Sequence, residues 1–256
     1  MRGYTTCIKE LDEAIGEIKK GSNIMLIGPP MSGKNVILNF ITCYSIVKNE
    51  NAVITVATSE SGTRFLELFK ENKLNLPKER IGIVDCFTKS LGSDAIGNEY
   101  TKLANSPADL TGINVKISQF FEDFFIKRNI KNTEVHINSL STILMYSNIQ
   151  VVFRFLHVLT ARIKAAGALG IYVVDSGVHH ETEITTLKQL CDGIIEIKSE
   201  NDTNLIRIVG LSPKPTPWFE YEVDGWSVRI QRKEKNQLIV DPENVKCHNN
   251  HTLCVI

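Results

Sequence analysis

Five short apolar runs, NIMLIG, AVITVAT, IGIVD, EVHIN and LGIYVVD, are spread over the first 175 residues, with longer segments of helical period between most of them. Each run is rich in Ile and Val and short, as strands are, whereas the intervening segments repeat their apolar residues every three to four positions. Strands separated by helices run parallel, so the expected fold class is α/β, with a mainly parallel central sheet flanked by helices. The clearest helix spans 150–166, where Val152, Phe155, Leu156, Leu159 and Ile163 recur on one face and Gly167 supplies a stop. After LKQLCDGIIEIK the pattern changes to NLIRIVGL, WFEYEVDG and WSVRIQRK, short alternating runs joined by turn residues. These predict antiparallel strands at the C-terminal edge of the sheet. Only the segment 86–112 is ambiguous, and it reads as an insertion or a long functional loop.

At 256 residues and 43% hydrophobic, the chain can bury one substantial core, giving one domain over 1–240 and a polar tail over 241–256. Lys plus Arg and Asp plus Glu each total 29, so no global field draws the chain to nucleic acid or an anionic membrane. The N-terminus lacks a basic start followed by an apolar core, and no apolar run is long enough to span a bilayer, which predicts a cytoplasmic protein with no membrane partner. The six cysteines follow no small-disulfide-domain spacing and are expected to be reduced and mostly packed.

The first apolar run leads directly into GPPMSGKN, residues Gly28, Pro29, Pro30, Met31, Ser32, Gly33, Lys34 and Asn35, and a helical segment follows. Two glycines let the backbone wrap an anion, successive amide N–H groups point inward, the helix adds its N-terminal dipole, and Lys34 reaches outer phosphates. The bland alternative is a tight strand-to-helix turn with a surface lysine, but strand, loop, lysine and helix all agree with phosphate binding. The pattern GxxxxGK[ST] asks for a hydroxyl on Mg²⁺ where this chain has Asn35. An amide oxygen coordinates with different geometry, so the expectation is ATP or ADP binding with weakened or absent Mg²⁺ dependence.

With these motifs in order, the chain resembles the RecA superfamily, and within it the KaiC/RadA-like ATPases, over nearly its whole length. CIKELDEAIG, carrying Leu11 and Asp12, looks like the segment that opens the family's domain ahead of the phosphate loop. VITVATSES looks like the strand that ends in the family's acidic pair, and EVHINSLSTIL like its Walker B strand. The resemblance implies a RecA-like P-loop NTPase fold. It places the metal-positioning acid at Asn138, the water-activating acid at Ser59, and the second acid of the pair at Glu60. It also places a neighbour-reaching basic pair at Arg207 and Val209. Amide for carboxylate removes a negative charge beside the metal, and serine is no base near neutral pH without help. The binding elements therefore persist while the hydrolytic ones are damaged. LGIYVVDS also closes in Asp175 and Ser176, so Asp175 stands as an alternative metal acid, although the helix 150–166 places it one strand later than the family's order.

Two further clusters stand out. In the tail, Cys247, His251 and Cys254 would share one face of a helix and suit Zn²⁺. In DSGVHHETE, His179, His180, Glu181 and Glu183 could form a metal or acid–base cluster or a loop that senses the nucleotide. The function these features imply is an ATP- or ADP-binding regulatory or scaffolding protein, acting with a protein partner or as a homo-oligomer. Alternatives are an active KaiC-like ATPase and a recombination accessory protein like the RadA paralogues, the latter disfavoured by the balanced charge.

Overall fold

The computed structural model describes residues 3–201 and 203–231, and the backbone of 246–247 and 254–255. Ten strands form one sheet in the order β10-β9-β8-β7-β1-β6-β5-β2-β3-β4. Its parallel part comprises β1 (Asn23–Gly28), β2 (Ala52–Ala57), β3 (Ile81–Asp85), β4 (Thr101–Leu103), β5 (Thr133–Ile137), β6 (Leu169–Asp175) and β7 (Gly193–Glu200). The antiparallel part adds β8 (Thr203–Val209), β9 (Phe219–Asp224) and β10 (Ser227–Gln231). The α/β class, the parallel centre and the antiparallel C-terminal edge thus follow the sequence expectation. The ambiguous segment 86–112 contains the edge strand β4 and the start of a helix, so part of it extends the sheet.

Among the described residues seven α-helices pack on the two faces: α1 (Lys9–Ile15), α2 (Lys34–Val47), α3 (Gly62–Glu71), α4 (Leu110–Glu122), α5 (Leu140–Tyr146), α6 (Ile149–Ala166) and α7 (Glu181–Lys188). Successive strand residues point to opposite faces, and both faces are apolar, as a strand covered on both sides requires. Met25, Ile27, Tyr172 and Val174 join the core beneath α4, α5, α6 and α7. Ile24, Leu26, Ile171 and Val173 join the core beneath α1 and α2. The α6 stripe Val152, Phe155, Leu156, Leu159 and Ile163 is buried, and Gly167 ends the helix at φ 62°, left-handed backbone that favours glycine. No described helix is long and apolar enough to cross a membrane.

One polar network interrupts the apolar interior. Glu134 and His136 lie two residues apart on the face of β5 toward α2, and both are fully buried. Thr42 of α2 donates its hydroxyl proton to Leu38 O at 2.8 Å, so it accepts from His136 Nδ1, also at 2.8 Å. His136 Nε2 lies 2.9 Å from Glu134 Oε2, and Asn51 Nδ2 donates to Glu134 Oε1 at 2.8 Å. Removing one member strands the other. His136→Leu is expected to destabilise the fold by roughly 3–5 kcal/mol, and the double replacement of Glu134 and His136 by leucine to cost less than that single one. Urea unfolding at neutral pH measures both, and a double variant weaker than the His136 single variant would overturn this account.

Candidate functional site

The strands β1 and β6 end level with each other, Gly28 opposite Asp175, and the chain leaves β1 into the loop that starts α2. Ser176 N donates to Gly28 O at 2.8 Å, fixing the loop's first residue to the end of β6. Gly33 occupies the N-cap position at φ 79°, and a Cβ there would stand 2.8 Å from Val223 Cγ2, so the position requires glycine on both counts. Met31, at φ 61°, is fully exposed on the outer bend. Tyr221 of β9 donates its hydroxyl to Ser32 O, so β9 braces the loop through Tyr221 and Val223 together.

No side chain caps the N-terminus of α2. The first four N–H groups of a helix have no partner within it, and an anion is the natural complement. The Ser32 hydroxyl is buried and has no hydrogen-bond partner. Lys34 is only 5% exposed. Its Nζ donates to Pro29 O at 2.5 Å and pairs with Asp175 Oδ1 at 2.9 Å. A cation beside the positive end of a helix is electrostatically disfavoured, and the Asp175 carboxylate offsets it. Asn35 is exposed in the first turn of α2.

Asn138, just past β5, is buried and uses both ends of its amide. Its Oδ1 accepts from Thr58 N at 2.9 Å and lies 2.9 Å from the Thr58 hydroxyl, while Nδ2 donates to Ser59 Oγ at 3.3 Å. The side chain assigned by resemblance to the metal position therefore stitches β5 to the end of β2. Glu60 is half-buried beside it, and burial raises its carboxyl above the usual range against the opposing pull of Arg64 and the Asn138 amide. Asp175 N donates to Ser141 Oγ at 2.8 Å, tying the end of β6 to α5.

Several expected functional groups serve local structure instead. Arg207 pairs with Glu196 across the β7–β8 ladder, Nε at 2.7 Å and Nη2 at 2.6 Å, so this chain supplies its partner. His180 caps α7 with Glu183 in a reciprocal box, and Glu181 lies 3.8 Å from Lys188, which separates the proposed His/Glu cluster into a cap and an ion pair. His179 keeps a buried Nε2 without a partner. Among the described residues no group of three or more His, Cys, Asp or Glu is arranged to hold a metal. In the tail, Cys247 and Cys254 are paired in a two-residue antiparallel ladder of β11 (Lys246–Cys247) and β12 (Cys254–Val255), not on one helical face, and His251 lies outside the described residues. Tyr221, Val223 and Ser141 are the contributors that sequence reasoning missed, because no local pattern marks a residue that braces a loop through the fold.

The Glu60 environment sets a pH dependence. A carboxyl raised on folding contributes stability that is complete below its ordinary range and lost as pH rises through the raised value. Glu60→Gln removes that titration. Unfolding free energies from about pH 4 to about pH 7 should fall less steeply in the variant than in the parent, and identical slopes would refute this.

A profile described as "Family of unknown function (DUF7504)" matches residues 21–197, which includes β1, the loop 28–34 and β6. No curated protein matches the chain. Among solved structures, the uncharacterized protein PH0321 from Pyrococcus horikoshii, in complex with an unknown peptide, superposes with a TM-score of 0.63 at 20% identity, covering 90% of this chain and all of that one. At that identity the likeness is one of fold. The family match covers well over half of the sequence, and the chain belongs to DUF7504, a family of unknown function.

Proposed function

We propose that the chain is a RecA-like nucleotide-binding domain that holds ATP or ADP on residues 28–34 and hydrolyses it slowly or not at all, passing its occupancy to a protein partner or to further copies of itself. The observation that carries this reading is the buried Lys34 at the uncapped start of α2, balanced by Asp175. Lysine and helix terminus together make a positive cradle that a phosphate complements better than one side-chain carboxylate does. The orphaned Ser32 hydroxyl is a further group that a phosphate oxygen satisfies. The strand order supports the resemblance: β6 lies between β1 and β5, so Asn138 occupies the strand end two removed from the loop.

The residues fit a triphosphate better than they fit its metal. Mg²⁺ favours carboxylate oxygens in near-ideal octahedral positions. Here Asn35 offers an amide, the Asn138 amide is engaged by Thr58 and Ser59, and Asp175 is paired with Lys34. A working ATPase is the second reading, favoured by one observation: Asp175 is a carboxylate at the loop and could turn from Lys34 to a metal. Hydrolysis then depends on Asp175, whereas under the first reading Asp175 only competes with phosphate for the lysine.

Thermal unfolding with ATP or ADP, with and without Mg²⁺, tests binding. A bound nucleotide at a hundred times its Kd stabilises by about 2.7 kcal/mol, and Lys34→Ala should abolish the rise. Asp175→Asn should lower the ligand-free transition and enlarge the nucleotide-dependent shift, because the lysine loses its counter-charge in the free state. No shift with either nucleotide defeats the proposal. Phosphate release that requires Mg²⁺ and is lost in both Lys34→Ala and Asp175→Asn selects the ATPase reading.

A further inference from the structure

A groove of about 680 Å³ opens between the C-terminal half of α4, the π-helical turn Asp123–Lys127 that continues it, and the end of α6. Lys20, Lys131 and Gly167 also line it, each just ahead of the strand it leads into, β1, β5 and β6. These strands run parallel, so the groove lies at the end of the sheet opposite the loop 28–34. Its lining is mainly apolar. Phe121 and Phe125 stack with centroids 5.5 Å apart and planes 7° from parallel, and Ala165 and Ala166 add to the same surface.

The charged residues of the lining are Lys20, Lys131 and Arg162, all of one sign. Two of them are held in place by neutral groups. Lys20 Nζ donates to Asn132 Oδ1 at 2.6 Å, and Arg162 Nη1 donates to Asn114 O at 3.1 Å and to Ser118 Oγ at 2.5 Å. Neutral acceptors fix where a charge sits without neutralising it. Arg162 is thereby anchored from α6 onto α4 through Nη1, and its Nε–Nη2 edge makes no hydrogen bond among the described residues. That edge is the side of a guanidinium that grips a carboxylate with two parallel hydrogen bonds.

Small-molecule sites commonly span about 300–1,000 Å³ and combine an apolar lining with a few placed polar groups, which is the composition of this groove. An aromatic ring extends the offset stack begun by Phe121 and Phe125, and a carboxylate on that ring meets Arg162 and the two lysines. An inorganic anion leaves the rings uncovered, and a neutral aromatic leaves the cations unmet. We propose that the groove binds a small aromatic carboxylate, with Arg162 as its bidentate partner and the stacked phenylalanines as its platform. The site is separate from residues 28–34 and stands whether or not they bind a nucleotide.

Isothermal titration of the full-length protein with 2-naphthoate tests this, with 2-naphthamide and octanoate as probes that lack the charge or the ring. One-to-one binding of 2-naphthoate is expected, with both controls weaker by about tenfold or more, and ATP should not displace it. Photolabelling with 4-benzoylbenzoate, competed by 2-naphthoate and mapped by peptide mass analysis, should mark residues 118–125 or 162–167. Arg162→Gln and Phe125→Ala should each weaken 2-naphthoate by about tenfold. Lys131→Gln changes an exposed side chain, so misfolding does not obscure its result, and it should weaken binding by about threefold. The proposal is overturned if 2-naphthoate fails to bind at about 1 mM, if either control binds as tightly, if ATP displaces it, if Lys131→Gln and Phe125→Ala both bind it unchanged, or if the label falls elsewhere.

Discussion

The level ending of β1 and β6 is the constraint on which the site depends. Parallel pairing in register sets Gly28 opposite Asp175, so the loop that leaves β1 and the carboxylate that closes β6 emerge at the same height on the sheet. Lys34 then has one charge to meet as it enters α2, at 2.9 Å. A one-residue slip of β6 would exchange its two faces, sending Ile171 and Val173 toward α6 and withdrawing Asp175 from the loop. The apolar pattern on both faces prevents the slip, because each face packs against its own set of helices. Core packing thus fixes an electrostatic arrangement in which it takes no part.

A second brace comes from the antiparallel edge. β9 turns Phe219, Tyr221 and Val223 to one face, and the last two rest on Ser32 and Gly33. The glycine is therefore needed twice, for its left-handed backbone and for the space that Val223 fills. A neighbouring strand thus shapes the loop, through one hydroxyl and one isopropyl group.

The fold was legible in the sequence to the extent that it is written in periodicity. NIMLIG, IGIVD and LGIYVVD coincide with β1, β3 and β6, and the helix expected over 150–166 begins one residue earlier, at Ile149. These elements declare themselves because burial of one or both faces imposes a period on neighbouring residues. The segment 86–112 concealed β4, a three-residue edge strand of half-buried residues with no period to read. The turn from β1 into α2 was equally legible, since its glycines serve it locally. What sequence could not reveal is how polar side chains spend their hydrogen bonds across strands. Arg207, placed by resemblance at a subunit boundary, meets Glu196 because an antiparallel ladder sets them opposite. His180 and Glu183, three residues apart, form a helix cap that could have been anticipated from their spacing before a helix.

Asn138 shows what an amide does at a strand end that a carboxylate could not. A carboxylate at that position could accept from Thr58 but could not donate to Ser59, and its charge would call for a cation at the strand ends. The amide both accepts and donates, so it joins Thr58 and Ser59 to β5 without metal or counter-charge. Burial raises the carboxyl of the neighbouring Glu60 above its usual range, against the opposing pull of Arg64 and of the Asn138 amide. The carboxylate beside Lys34 is that of Asp175, and the two are paired at 2.9 Å. Asp175 also donates its backbone N–H to Ser141, so one residue joins the Lys34 ion pair at the loop to α5.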